Sequence, residues 1–411
     1  EADPDTLAQL FAEERKIRTP REDFRSCLLN AALQFYYRPD ATHGYLLAGY
    51  PWFGVRARDL FIALPGCTIY ADAPERFYRI MDTVLPDMRA FMRQEGISKE
   101  IRNINEGDIG LWAIWTLQEY ARWSSLPDMV SRYGDFLDEL IHYYLRNVHP
   151  NLRIDDNGLC VMTGDGRPLS WMDAKVNGQA VVRREGYLVE VNALWYNALC
   201  FYREALPQKW TPELEELLGR VQQSFCDTFI NQHGYLFDYV QPHSSWRDWS
   251  VRPNMVFATS LPYSPLPKAT RRSVLEIITR ELRTPKGLRS LSPKSDGYQP
   301  QCHGTQWQRE QSYYNGSVWP WLLGPYFEAC IKLYGRSAIS FIENTLIGME
   351  EELQQHGVGT VSELFDGNPP FKGRGAISFA MSVGELLRSL ALLEEAKSKY
   401  DTQILPIIRY E

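Results

Sequence analysis

Apolar residues recur at helical spacing through most of the chain, in blocks separated by connections rich in glycine, proline and aromatic residues. In block 73–95, Phe77, Ile80, Met81 and Val84 fall on one stripe, as residues of a core-facing helix do. The pattern predicts twelve helices, at 22–37, 57–64, 73–95, 107–124, 127–147, 189–205, 211–231, 252–260, 266–283, 316–333, 336–356 and 375–396. A mainly helical protein is therefore expected.

Alternating strand patterns are scarce. The clearest candidates lie in 151–162 and 233–240, and within the second segment residues 234–239 alternate between turn signals. A few short β-hairpins are expected there.

No linker rich in proline, serine or glycine, no low-complexity tract and no internal repeat divides the chain, so one domain over residues 1–411 is predicted. Four long connections, at 38–56, 149–188, 284–315 and 357–374, carry most of the glycine, proline, tryptophan and histidine. Long loops in compact domains are often functional, so we expect the chemistry there. A start at Glu1 without methionine is compatible with a longer native protein that has a further N-terminal domain.

Composition narrows the function. The 411 residues are 44% hydrophobic and 23% charged, with a formal net charge of −7, so we expect a globular protein that binds no nucleic acid. No run of about 18 to 20 apolar residues predicts a membrane span. The seven cysteines form no C-x-x-C pair, which favours a reducing, cytoplasmic compartment over a disulfide framework or zinc site. The oligomeric state stays open.

Four loop segments combine carboxylates, tryptophans and amides. Sugars are bound by this mixture, because aromatic faces stack on pyranose rings while carboxylates and amides bond to hydroxyls. The segments are 49–59, 170–175, 306–321 and 362–367.

Glycoside hydrolysis needs one carboxylic acid and one carboxylate, and Asp173 and Glu363 are the best candidates. Asp173 follows Trp171, and a carboxyl group against an indole is poorly solvated, which suits a proton donor. Lys175 would oppose that effect if it pointed into the same pocket. Glu363 lies between Ser362 and a Phe-Asp-Gly turn, where polar neighbours would keep it ionised as a base. From spacing alone, either residue could also be an ordinary capping or solvated carboxylate.

An ordered set of motifs resembles the glycogen debranching enzyme family, in its amylo-α-1,6-glucosidase domain. The resemblance extends from about residue 25 to 393 and rests on motifs at 48–54, 58–59, 62–66, 170–175, 189–197, 252–254, 260–262, 287–291, 316–321 and 362–367. It implies an (α/α)6 barrel of twelve helices and an inverting mechanism without metal or organic cofactor. An inverting pair is typically about 6.5 to 9.5 Å apart.

The resemblance makes Asp173 the general acid and Glu363 the general base, with Arg58 and Asp59 gripping the non-reducing glucose. Further substrate-binding candidates are Trp52, Trp171, Trp319 and Trp321 as pocket walls, and Lys175, Glu190, Asn192, Gln308 and Arg309 as polar contacts. The implied substrate is a branched α-glucan, glycogen or a limit dextrin, from which a single α-1,6-linked glucose is released.

Two departures from the family pattern bear on the substrate. Val55-Arg56-Ala57 stands where many members have Asp-Trp-Gly, and Glu310 stands where aspartate is frequent. An α-glucosidase of other linkage and a non-catalytic glucan-binding or helical-scaffold module therefore remain alternatives. A sugar epimerase is a further one, for which His243 and His303 would be the residues to test.

Overall fold

The computed structural model describes residues 3–18 and 20–401, which are mainly helical. The helices are α1 (Pro4–Ile17), α2 (Phe24–Phe35), α3 (Ala57–Cys67), α4 (Pro74–Met92), α5 (Ile109–Trp123), α6 (Leu126–Leu145), α7 (Val189–Ala205), α8 (Pro212–Phe229), α9 (Phe257–Ser260), α10 (Lys268–Glu281), α11 (Gln306–Tyr313), α12 (Leu323–Tyr334), α13 (Ile339–Met349) and α14 (Ala380–Asp401). Each of the twelve predicted helical segments overlaps one of these helices, so the mainly helical prediction is confirmed.

Two helices were not predicted, and one predicted helix begins late. α1 precedes the first predicted segment, and α11 lies inside a predicted loop. α11 is a polar helix with only Ser312 buried, so it has no hydrophobic stripe, and it begins at a capping box between Thr305 and Gln308. α12 begins only at Leu323, because Val318–Trp319 is a strand and Pro320 holds the residue before it in an extended conformation.

Six helices contact one another in a closed cycle. α3 packs on α5, α5 on α7, α7 on α9, α9 on α12, α12 on α14, and α14 packs back on α3. All described residues of α3 and most of α7 are buried, as expected for helices enclosed on every side. Helices α2, α6, α8, α10 and α13 pack on the outside of this cycle, and α6 buries only one face.

The strands are two or three residues long, so alternation could not reveal them. They are β1 (Tyr36–Tyr37), β2 (Tyr45–Leu46), β3 (Gly49–Tyr50), β4 (Leu152–Ile154), β5 (Cys160–Met162), β6 (Lys175–Val176), β7 (Gln179–Ala180), β8 (Tyr187–Leu188), β9 (Tyr239–Val240), β10 (Arg283–Thr284), β11 (Gly287–Arg289), β12 (Val318–Trp319), β13 (Leu364–Phe365), β14 (Gly373–Arg374) and β15 (Ser378–Phe379). The predicted hairpin in 151–162 is confirmed as β4–β5. Of 233–240, only β9 is a strand, and it pairs with β8.

A five-stranded antiparallel sheet, in the order β10-β11-β12-β13-β14, joins two of the long connections, 284–315 and 357–374, through the strand before α12. Leu288 lies opposite Trp319, and Val318 lies opposite Phe365. The sheet therefore brings the Trp319 loop beside Glu363, the residue that precedes β13.

Candidate active site

The residues around Asp173 and Glu363 lie where the helices of the cycle begin. Arg56 precedes α3, Asp108 precedes α5, Trp319 precedes α12 and Phe379 precedes α14. The N-terminal end of a helix carries partial positive charge and favours nearby carboxylates. This end of the cycle is therefore a favourable place for a cluster of acids.

Arg56 connects two of these acids. Its Nη2 bonds to Asp173 Oδ2, and its Nε lies 3.4 Å from Asp59 Oδ2. The two carboxylates raise the pKa of the Arg56 guanidinium, so it stays charged. Burial raises the pKa of Asp59, and Arg56 opposes that effect. Arg56, and not the adjacent Arg58, therefore forms the ion pair with Asp59.

Arg58 is turned toward different partners. Its Nε and Nη2 donate to the two oxygens of Asp108, each at 2.8 Å, and Nη2 also donates to Glu106. Burial acts to lower the pKa of Arg58, but Asp108 and Glu106 outweigh it and raise the pKa well above its usual range. Asp108 is in turn held by Trp112 Nε1 at 3.1 Å. Arg58 is therefore a fixed, neutralised part of the site wall.

Asp173 is held by a hydroxyl as well as by Arg56. Tyr314 Oη donates to Asp173 Oδ1 at 2.9 Å. The nearby Trp171 packs edge-on against Tyr314, Trp319 and Trp321, and its Nε1 donates to Asn254 Oδ1 at 2.6 Å. Asp173 is thus bonded to a tyrosine that belongs to a packed aromatic cluster. The sequence predicted an aromatic neighbour for Asp173, but not the cation that contacts its carboxylate.

Glu363 is fully enclosed. Its Oε2 accepts hydrogen bonds from the Ala376 backbone N–H at 2.8 Å and from Tyr313 Oη at 3.2 Å. Gly375 has φ +65°, and a Cβ there would lie 2.2 Å from Glu363 Oε2, so only glycine leaves room for the carboxylate.

Burial determines the protonation of Glu363. It raises the pKa of Glu363 to about 8, although the hydrogen bonds from Ala376 and Tyr313 and the charge of Arg56 act to lower it. This contrasts with the prediction from its polar neighbours, which favoured an ionised group. In the free site, Glu363 carries a proton at neutral pH.

Asp173 and Glu363 line one small cavity, which we call the carboxylate cavity. Its volume of about 20 Å³ is enough for one water molecule but not for a sugar ring. Its lining consists of Arg56, Arg58, Asp59, Trp171, Asp173, Tyr314, Trp319, Glu363, Phe379 and Met381. Six of the predicted site residues are brought together here, and a sugar can bind only if side chains such as Arg56 move.

A larger pocket of about 540 Å³ lies alongside, and we call it the entrance pocket. Trp52, which is 60% exposed, and the predicted Arg309 line it, together with Tyr313 and Gly375, which contact Glu363. The pocket is rich in cationic and imidazole groups, since its lining also includes Arg374, His303 and His356. Glu310 is the acidic residue in its lining. Burial and the negative charge of Asp173 both raise the pKa of the Glu310 carboxyl group.

Five residues predicted to contact the substrate line neither the carboxylate cavity nor the entrance pocket. Glu190 pairs with Arg184 through bonds of 2.5 and 2.7 Å, Asn192 binds the backbone of Cys160, and Gln308 caps α11. Trp321 is buried beneath Trp171, and Lys175 is exposed on β6.

Several residues of the site were missed by sequence reasoning. Tyr313 and Tyr314 lie just before the recognised motif at 316–321, and Asn254 belongs to the motif at 252–254. The motifs could therefore have indicated all three residues. Glu106 and Asp108 lie in no motif that had been recognised. Their contact with Arg58 spans about 50 positions and depends on how α3 packs on α5.

No helix within the described residues is long and apolar enough to cross a membrane. No group of three or more metal-ligating side chains is found within 3–18 and 20–401. All seven cysteines are free thiols.

Comparisons with known proteins agree with a carbohydrate-cleaving class of protein. The amylo-alpha-1,6-glucosidase family matches residues 30–388, and the chain belongs to this family. No curated protein matches the chain.

Solved structures share the fold at low sequence identity. A GH63 mannosylglycerate hydrolase from Thermus thermophilus, in complex with Tris, is 12% identical with a TM-score of 0.60, over 89% of this chain and 99% of that chain. An uncharacterized conserved protein from the same organism is 16% identical with a TM-score of 0.62, over 89% and 99%. A wild-type glycosidase is 14% identical with a TM-score of 0.56, over 96% and 99%. The fold is thus one that glycoside hydrolases use.

Proposed function

We propose that the protein is an inverting glycoside hydrolase that removes single α-1,6-linked glucose residues from the branch points of glycogen or a limit dextrin. The observation that carries the proposal is the pairing of Asp173 and Glu363 in one buried cavity with Arg56, Asp59 and Trp171, in a member of the amylo-alpha-1,6-glucosidase family. We include in it a single (α/α)6 barrel domain, which the closed cycle of helix contacts supports, and a cytoplasmic location, which the free thiols support.

In this mechanism, Asp173 protonates the glycosidic oxygen as the bond to the anomeric carbon breaks. Glu363 takes a proton from a water that attacks that carbon from the opposite face. The Tyr314 hydroxyl holds Asp173 in place. Tyr313 and the Ala376 N–H hold Glu363 in place.

The ion pair of Arg56 imposes a condition on this mechanism. Asp173 must leave Arg56 to act as a proton donor, and the carboxylate cavity must enlarge to admit a glucose ring. One movement of Arg56 would meet both needs, with Asp59 as the remaining partner of its guanidinium. We propose that sugar binding displaces Arg56 from Asp173.

Glu363 imposes a second condition. Because the pKa of Glu363 is about 8 in the free site, the base is in its active, ionised form only toward alkaline pH. Turnover also needs a proton on Asp173, so kcat/KM should have a bell-shaped pH profile with one limb near pH 8 that belongs to Glu363.

Product analysis tests the substrate. Glycogen limit dextrin and linear maltooligosaccharides are incubated separately with the protein, and released glucose is measured. Glucose from the limit dextrin alone supports the proposal, and glucose from the linear chains alone contradicts the linkage. Asp173→Asn and Glu363→Gln should each abolish release. Glu216→Gln, an exposed carboxylate of α8 paired with Arg220, is the matched control and should not affect it.

A second candidate is a glycosidase whose leaving group is small and anionic. The observation that favours it is that Arg309, Arg374 and His303 all line the entrance pocket. One structural neighbour is a mannosylglycerate hydrolase, whose substrate bears a carboxylate. Release of sugar from a glucosyl or mannosyl glycerate, with none from a limit dextrin, would favour this candidate.

A further inference from the structure

A second cleft with aromatic and polar walls lies on α10, apart from the carboxylate cavity and the entrance pocket. Its volume is about 650 Å³, which is within the range of small-molecule sites. One wall is formed by His233, Tyr235 and Trp249, and the other by residues of α10 and of the loop at 292–295. We call it the Trp249 cleft.

The aromatic wall is rigid and open to solvent. Trp249 is 46% exposed, yet its indole is braced edge-on by Phe237 at 4.6 Å and by His233 at 5.7 Å. His233 stacks on Tyr235, whose hydroxyl donates to the Trp249 carbonyl at 3.0 Å. An exposed ring fixed in this way can stack on a ligand at little conformational cost.

The charged side chains of the polar wall neutralise one another. Glu281 accepts from Lys294 Nζ at 2.8 Å, from Arg280 Nε at 3.0 Å and from Ser292 Oγ at 3.1 Å. Burial acts to raise the pKa of Glu281, but Lys294 and Arg280 outweigh it and lower the pKa, so the group stays ionised. The wall offers fixed hydrogen-bonding groups without a strong net field, which suits a neutral ligand with many hydroxyls better than an anion.

The cleft is joined to the proposed active site through one loop. Val251 lines the cleft, and the adjacent Arg252 donates to the carbonyls of Ser290 and Tyr314. Tyr314 lines the carboxylate cavity and binds Asp173. A glucan chain bound in the cleft would thus lie next to the loop of Arg252, which contacts the Tyr314 that binds Asp173.

We infer that the Trp249 cleft binds a segment of an α-glucan chain and is a second carbohydrate site of this protein. The identity of the glucan rests on the proposed function. The site would hold one arm of a branched substrate while another arm reaches the carboxylate cavity, and it would increase affinity for polymers without changing the chemical step.

Affinity electrophoresis in gels containing glycogen tests the inference, because it measures binding without turnover. Trp249→Ala is compared with Trp246→Ala, an exposed tryptophan of the same loop that packs on Tyr239 and does not line the cleft. We expect Trp249→Ala to weaken glycogen binding at least tenfold, Trp249→Phe to retain most of it, and Trp246→Ala to leave it unchanged. Equal retardation of the two alanine variants would overturn the inference.

Two further measurements separate the possible failures. Ser295→Trp narrows the cleft and leaves Trp249 in place, so it should weaken binding as well, and unchanged binding in this variant counts against the site. Hydrolysis of isomaltose, which has only two glucose units and no further chain to bind elsewhere, should be the same in Trp249→Ala as in the wild type. Glycogen binding that depends on Trp249 in a protein that hydrolyses no α-glucan would refute the proposed function and leave the second site standing.

Discussion

Arg56 and Asp173 form an ion pair inside the carboxylate cavity, and the same guanidinium reaches Asp59. The pair joins a residue that departs from the family pattern to the proposed general acid. It also occupies the room that a glucose ring would need. The properties of this site therefore depend on where Arg56 lies.

The first prediction concerns Arg56. In Arg56→Gln, the cavity is larger and Asp173 has no ion pair to break, so we expect glucose to bind several-fold more tightly, as measured by calorimetry. Arg56→Lys keeps the charge and serves as the control, with affinity close to that of the wild type. Weaker glucose binding in Arg56→Gln would show that Arg56 holds the sugar rather than yielding to it.

The second prediction concerns the pH dependence of kcat/KM, which reports the free enzyme. The pKa of Glu363 is about 8. As the base, Glu363 must be ionised while Asp173 carries a proton, so we expect a bell-shaped profile of kcat/KM with one limb near pH 8. A profile with no limb near pH 8 would contradict this account of Glu363.

The third prediction concerns Tyr313, whose hydroxyl lies 3.2 Å from Glu363 Oε2 and lowers its pKa. A hydrogen bond to a charged group contributes about 1.5 to 3 kcal/mol. Tyr313→Phe should therefore raise the pKa of Glu363 and move the limb of the kcat/KM profile near pH 8 upward by about one pH unit. Tyr314→Phe, which removes a bond to Asp173, should leave the position of that limb unchanged. An unmoved limb in Tyr313→Phe contradicts the assignment of that limb to Glu363.

The fourth prediction concerns stability. Folding raises the pKa of Glu363 from 4.5 to about 8, so the folded state favours the protonated form. The resulting stabilisation is complete below pH 4.5 and is lost as the pH rises to 8. Glu363→Gln has no charge to bury, and at pH 9 its free energy of unfolding should exceed that of the wild type by on the order of 4 kcal/mol. The gap should close toward pH 4, and a gap that does not depend on pH would contradict this account.

The fifth prediction concerns Arg388, which is buried with Glu119, Glu328 and Glu385 in the wall of the helix cycle. Arg388→Met leaves these carboxylates without their central cation. We expect a loss of about 3 to 5 kcal/mol in the free energy of unfolding in urea. Arg220→Met breaks an exposed pair with Glu216 and should cost less than about 1 kcal/mol. Similar losses in the two variants would show that the buried cluster stabilises the fold no more than an exposed ion pair does.

Sequence reasoning predicted the helices and the two carboxylates, since both leave local signals. A stripe such as Phe77, Ile80 and Val84 is visible over a few turns, and Asp173 and Glu363 lie in recognisable motifs. Helix α11 left no such signal, because a helix with one buried residue needs no stripe. Its end carries Tyr313, the hydroxyl donor to Glu363.

Electrostatic roles could not be predicted, because they depend on contacts between distant segments. Arg58 and Asp59 were expected to grip the glucose, and the sequence did not indicate that Arg58 binds Asp108 from the start of the adjoining helix or that Arg56 reaches Asp59. The polar sequence around Glu363 indicated an ionised group, whereas burial between two loops raises its pKa. Residues that are close in the sequence identify contacts within one strand or turn. They do not identify contacts between separate segments, such as those of Arg58 and Glu363.

The central claim is hydrolysis with inversion by Asp173 and Glu363, and proton NMR of the first product tests it most directly. The protein is mixed with limit dextrin, and the anomeric proton of released glucose is followed before mutarotation proceeds. The proposed mechanism predicts β-glucose as the initial product, because water attacks from the face opposite the departing α-linked oxygen. Initial appearance of α-glucose would contradict it.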